Sequence, residues 1–218
     1  MIRWPIRLAM LLAATIAAWQ PSIARAADED VQFWLNVVAT GDLDDDTRLT
    51  IDATSRWREV QRGDEQQTIR VNIEQEFGDS VRVGGGLAVF DAGGRTEIRP
   101  HQEITFTTGR LAVRTRIEER FFDGADRMEI RARQRLRYTL PIANKVEARF
   151  EGEFFNLVQT QSRDPDTARD QWRARTEIGW RLNKKFRLAL AYLAIYTPTP
   201  NARDTFNHVP QTWIEYRF

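Results

Sequence analysis

The chain has 218 residues, no cysteine and two histidines, which excludes a disulfide framework, a thiol nucleophile and cysteine-bound metals and leaves no basis for a histidine-rich metal site. Its net charge of +1 falls to about −2 once Arg3, Arg7 and Arg25 are removed with a leader, so overall charge gives no field for a nucleic-acid partner. A mean hydropathy of −0.52 excludes a bundle of apolar membrane helices, but not a β-barrel, whose strands alternate lipid-facing and lumen-facing residues.

Arg3 and Arg7 precede a short apolar run over 8–19, and Ala24-Arg25-Ala26 has the small-x-small form that signal peptidase cuts. The run is too short to span a bilayer as a helix. Residues 1–26 therefore read as a signal peptide cleaved after Ala26, and 27–218 as one domain with no linker.

From Val31 onward the pattern alternates with a period of two, in segments of about ten to fourteen residues separated by turn chemistry. Residues 31–39 put Val31, Phe33, Leu35 and Val37 on one face, and the Asp-rich "TGDLDDD" ends the segment. Residues 48–59 oppose Leu49, Ile51, Ala53 and Trp57 to Arg48, Asp52, Arg56 and Arg58. In 67–77, Ile69, Val71, Ile73 and Phe77 alternate with Arg70, Asn72, Glu74 and Glu76, before a Gly78-Asp79 hairpin signal.

Residues 81–90 contain "VGGG", which lacks the Gly-Lys-Ser/Thr and following helix of a phosphate loop and instead predicts sharp curvature or close backbone approach. The polar face of 97–107 carries Glu97, Arg99, His101 and Glu103. Residues 111–121 oppose Leu111, Val113, Ile117 and Phe121 to Arg114, Arg116, Glu118 and Arg120. In "EIRARQRLRYTL", Arg131, Arg133, Arg135 and Arg137 form one face against Ala132, Leu136, Tyr138 and Leu140, with Gln134 as the polar misfit on the apolar side.

After "PIAN", residues 146–156 return with Glu147, Arg149, Glu151 and Glu153 on the polar face, placed to pair with the preceding arginines. Residues 171–181 bring Arg173, Arg175, Glu177 and Arg181 to that face, 186–196 follow, and the last strand ends "TWIEYRF".

Two features locate these strands. Thr212, Ile214, Tyr216 and Phe218 share a face, and an alternating last strand ending on an aromatic resembles the terminal signal read by the outer-membrane insertion machinery. Aromatic residues near strand ends, Trp57, Phe77, Phe121, Tyr138, Trp172, Tyr196 and Tyr216, fit interfacial girdles against membrane lipid. The expected fold is all-β, a transmembrane antiparallel up-and-down barrel in the cell outer membrane, and a monomer. About eleven segments are visible, but single-chain bacterial barrels normally have an even number, so ten or twelve wall strands are expected. Longer connections at 60–65, 91–94, 123–125, 158–168 and 197–205 are placed outside the cell. An odd count would force 31–39 to run parallel to the last strand.

"RTRIEERFF", "RARQRLRYTLPI", "EGEFFNL" and "WRARTEIGWRLNKKFRLALAYL" resemble successive motifs of a bacterial family of outer-membrane barrels catalogued as domain of unknown function 2490. The resemblance covers nearly the whole mature chain, with an Arg-x-Arg core at Arg114, Arg116, Glu119 and Arg120, and "EIRPHQEITF" loosely matches the family's acidic-histidine-arginine strand. It implies a Gram-negative outer-membrane barrel and no reaction or ligand.

The lumen face is the candidate site: Arg114, Arg116, Glu118, Arg120, Arg131, Arg133, Arg135, Arg137, Glu147, Arg149, Glu151, Glu153, Arg173, Arg175 and Glu177, with His101 a member of the same network. Such charges either pair across strands and plug the barrel, or leave an excess of arginine that favours small anions. The first outcome is a closed structural or surface-interaction barrel; the second is a narrow anion-favouring channel or a small-anion binding barrel. An outer-membrane hydrolase is the third class, but Ser55, Ser80 and Ser162 have no histidine near them in sequence. No cofactor is implied, and "DLDDD" lacks the ligand spacing of a calcium loop.

Overall fold

A computed structural model describes residues 27–58, 65–161, 170–199 and 202–218. The expected signal peptide and Ser162 lie outside them. The strands are β1 (Asp28–Val31), β2 (Phe33–Asp42), β3 (Thr47–Trp57), β4 (Gln66–Phe77), β5 (Val81–Ala92), β6 (Arg95–Thr108), β7 (Leu111–Phe122), β8 (Glu129–Ala143), β9 (Val146–Gln159), β10 (Gln171–Arg181), β11 (Phe186–Thr197) and β12 (Thr205–Arg217).

Each strand from β2 to β12 pairs with its chain neighbours, and β12 returns to β2, closing a transmembrane barrel. Among the described residues the sheet has twelve strands, one of the two expected counts, yet the closed ring has eleven. β1 and β2 form one line along β12 in one register, Val31 opposite His208 and Trp34 opposite Gln211. Eleven strands that alternate in direction leave the first and last parallel, so the fully antiparallel wall gives way at one seam to a parallel pairing. The terminal residue sits on that seam. Phe218 donates its amide to Thr40 at 3.1 Å, and its ring occupies the space a side chain at Gly41 would need.

Alternation sorts the faces as a membrane requires. Ile51, Ile69, Val71, Leu87, Val113, Leu136, Ile178 and Leu190 are exposed on the outer wall. The girdle residues Trp57, Phe77, Phe121, Tyr138 and Trp172 are exposed with them, while Tyr196 and Tyr216 are half-buried against neighbours. Cross-strand rings pair near the strand ends, Phe33 with Trp57 at 5.6 Å and Phe186 with Tyr216 at 5.0 Å. Gln134 loses its anomaly because Thr115 on β7 donates to its side-chain oxygen at 3.0 Å. The Asp-rich turn is held by Asp44, whose carboxylate accepts from the amides of Asp46 and Thr47.

The glycines of "VGGG" leave no space for a Cβ against the neighbouring backbones of β4 and β6. A Cβ on Gly86 would lie 2.1 Å from the Val71 carbonyl oxygen and 2.9 Å from the His101 ring, whereas one on Gly152 meets nothing within 4 Å. Backbone cannot yield as a side chain does. Gly86→Ala is therefore expected to cost on the order of 1–3 kcal/mol as overpacking, and Gly152→Ala close to nothing. Urea unfolding of both variants in detergent or lipid, followed by heat-modifiable gel mobility, checks the difference.

Candidate lumen site

Strand register brings the inward charges together. Arg116 on β7 faces Glu103 on β6 and Arg133 on β8, and Glu118 faces His101 and Arg131. A guanidinium carries five donors in a planar fork, so one arginine can bridge two carboxylates. Glu118 is the hub: it is fully buried and lies 2.6 Å from Arg131, 2.5 Å from Arg133, 3.7 Å from Arg116 and 3.9 Å from Arg99. Glu103 takes Arg116 at 2.6 Å and Arg114 at 3.3 Å, and Glu153 takes Arg133 at 2.8 Å and Arg114 at 2.9 Å. Toward the long-connection end, Arg120 joins Glu97 and Glu129.

A second group spans β9 to β12. Arg187 reaches Glu177 and Glu215 at 2.6 Å each and Glu147 at 3.1 Å. It does so by lying over Gly179, where any Cβ would collide with its guanidinium. Arg149 joins Glu147 at 2.7 Å, and Glu151 takes Arg137 and Arg175.

His101 is 2 % exposed and bonds Asn72 at 3.0 Å, while the Asn72 amide donates to Glu103. It belongs to the lumen network. The other chemistry-bearing side chains lie apart from it: Ser55 bonds Gln67, Ser80 sits in a turn, and His208 bonds Tyr192.

Two expectations about partners change. Glu147 serves Arg149 and Arg187, not the arginines of β8, because the β8–β9 register puts it opposite Pro141 beyond their row. Arg135 lies opposite Glu153, yet Glu153 is held by Arg133 and Arg114, and Arg135 makes no ion pair among the described residues.

Sequence reading missed the aromatic part of the lumen. Trp34, Phe90 and Phe155 point inward, and arginines stack on them: Arg56 on Trp34 at 4.0 Å, Arg99 on Phe90 at 3.7 Å, Arg173 and Arg133 on Phe155 at 4.3 Å each. Trp34 also joins Leu193, Ile195 and Val209 in a small apolar cluster inside the barrel. The available signal was "LALAYLAIY" on β11, which is apolar on both faces and so cannot be a purely polar lumen strand.

Below this belt lies a cavity of about 1010 Å³ that reaches the short-turn end, where Gly109, Arg110, Lys184 and Lys185 line it. Its walls carry twenty arginine and lysine side chains against seven carboxylates.

A family model described as "Protein of unknown function (DUF2490)" matches residues 31–207. The chain belongs to this family. Among solved structures, a NanC porin aligns with a TM-score of 0.56 over 81 % of this chain and 92 % of that one at 11 % identity. Two KdgM porin structures, one in complex with disordered oligogalacturonate, align at a TM-score of 0.49 over 72 % of this chain and 81 % of theirs, at 12 % and 11 % identity. No curated protein matches the chain. The NanC likeness shows that this DUF2490 member shares the closed β-barrel fold of that structure.

The hub carboxylate is expected to be the costliest single charge to remove. Glu118→Gln leaves Arg131 and Arg133 without their shared counter-charge and should destabilise by on the order of 3 kcal/mol. Glu74→Gln, at a lumen carboxylate with no ion pair among the described residues, should cost well under half of that, as read by urea midpoints of the two variants.

Proposed function

We propose that this protein is a monomeric outer-membrane barrel of a Gram-negative bacterium, exported by its signal peptide and inserted through its Phe218 strand, whose lumen admits and favours small anions. The observation that carries this is the cationic surplus around a cavity of about 1010 Å³: Glu118, Glu147, Glu76 and Asp42 compensate several lining arginines from outside the lining, but Arg110, Arg135, Arg181, Lys184 and Lys185 line it with no ion pair among the described residues. Excess charge in a low-dielectric wall focuses field lines and raises the local concentration of counter-ions. Arginine rings act this way in anion pores. The porin-type fold supports a path along the barrel axis, and the arrangement suits either a narrow anion-favouring channel or a small-anion binding barrel.

A second reading rests on the belt. Phe90, Arg56, Trp34, Arg173 and Phe155 stack in sequence across the lumen and bound the cavity on the side of the long connections. A belt that never opens makes the protein a closed structural or surface-interaction barrel.

Planar-bilayer recording separates the two. In a KCl gradient the anion reading expects openings whose reversal potential lies toward that of chloride. Arg56→Ala removes the guanidinium between Trp34 and Phe90 and should raise unitary conductance without reversing selectivity. Silence from refolded wild type and variant alike would leave the closed barrel standing.

A further inference from the structure

We infer that Arg135 is the seat of a small oxyanion, bound from the cavity side; the inference rests on the anion-favouring reading of the lumen and assigns it a residue and a ligand chemistry. Arg135 lines the cavity, half-buried, between Arg114 on β7 and Glu153 on β9. Glu153 is taken by Arg133 and Arg114, and Glu151 is taken by Arg137 and Arg175. Both carboxylates within the reach of Arg135 are therefore already spoken for.

Two other half-buried arginines of the cavity lining, Arg56 and Arg173, also lack a carboxylate among the described residues, and they show how the protein handles that situation. Arg56 donates to the Gln66 side-chain oxygen at 2.7 Å and stacks on Trp34. Arg173 donates to Gln171 at 2.7 Å and stacks on Phe155. Arg135 has neither an amide acceptor nor an aromatic face among the described residues. The guanidinium of Arg135 instead faces the cavity, where its donors remain open to whatever enters from water. An anion entering there meets a planar fork of donors with no carboxylate to displace.

The surrounding wall leaves room for it. Thr105 and Thr107 on β6 and Ala112 on β7 line the same cavity, and register places Thr107 opposite Ala112 and Ala112 opposite Arg137. Thr105 lies opposite Arg114, which lies opposite Arg135, so these short side chains line the cavity one strand beyond Arg114, and the threonine hydroxyls can donate to an ion bound there. Two oxygens in one plane match the guanidinium edge, so the ligand class is an oxyanion, a carboxylate or a phosphate, in preference to a halide.

Phenylglyoxal attacks guanidinium groups that are free of a carboxylate. On refolded wild-type protein in detergent micelles, with modification mapped peptide by peptide, Arg135 should react faster than Arg133 and Arg114. Inorganic phosphate or acetate should slow the reaction at Arg135 while leaving the exposed Arg95 unchanged, and the more protective of the two identifies the preferred oxyanion. Equal rates at Arg135 and Arg133, or no protection beyond that at Arg95, would overturn the assignment. Calorimetric binding of inorganic phosphate should weaken at least roughly tenfold in Arg135→Gln and recover in part in Arg135→Lys; undiminished binding in Arg135→Gln also sinks it. Protection at Arg135 in a barrel that shows no anion selectivity would leave the seat and remove the path. Selectivity without protection would do the reverse.

Discussion

A sheet in hydrocarbon cannot leave an edge unpaired, because each backbone N–H or C=O without a partner costs several kcal/mol where no water can replace it. That constraint organises this molecule. With eleven strands in the ring, the only way to satisfy β12 is to lay it beside β2 in parallel, and the whole wall inherits that register. β1 continues the line so that the upper half of β12 is also covered. Phe218 closes the lower corner, its amide on Thr40 and its ring over Gly41. Phe218 thus has a structural role in the finished seam.

Closure also dictates what happens inside. A narrow lumen forces the alternate residues of every strand into one space, and long arginines from β7, β8 and β10 must share it with glutamates from β6, β7 and β9. Buried ion pairs gain little over apolar packing, but a missing partner is costly, so the network holds together only as a connected set. Glu118 supports several arginines, and Arg187 supports three carboxylates by lying over Gly179. Where carboxylates run out, amide oxygens and the rings of Trp34 and Phe155 take their place. The interior consequently mixes aromatic–guanidinium stacks with carboxylate-linked pairs, and its cavity reaches the short turns.

The same network decides which arginines are left without a carboxylate. Most arginines on the basic face of "EIRARQRLRYTL" are structural: Arg131 and Arg133 hold Glu118, and Arg137 holds Glu151. Only the surplus reaches the cavity uncompensated. Anion preference, where it arises, is then a property of a few positions set within a rigid scaffold of pairs, not of basic composition.

By itself the sequence determined the alternation, and with it the strand positions, the lipid-facing and lumen-facing sets and the girdle, because side chains on a strand swap sides at every residue and need no knowledge of neighbours. It also carried the close approach at Gly86, since three glycines in a strand have few other uses. Partner choice was not legible. Glu147 serving Arg187 in place of the β8 arginines, Arg135 without an ion pair among the described residues though opposite Glu153, and Trp34 facing inward to meet Arg56 from β3 and Arg173 from β10 all depend on distances between strands. The parallel seam is of the same kind. Local pattern decides which way a side chain points, but only the closed ring decides what it meets there.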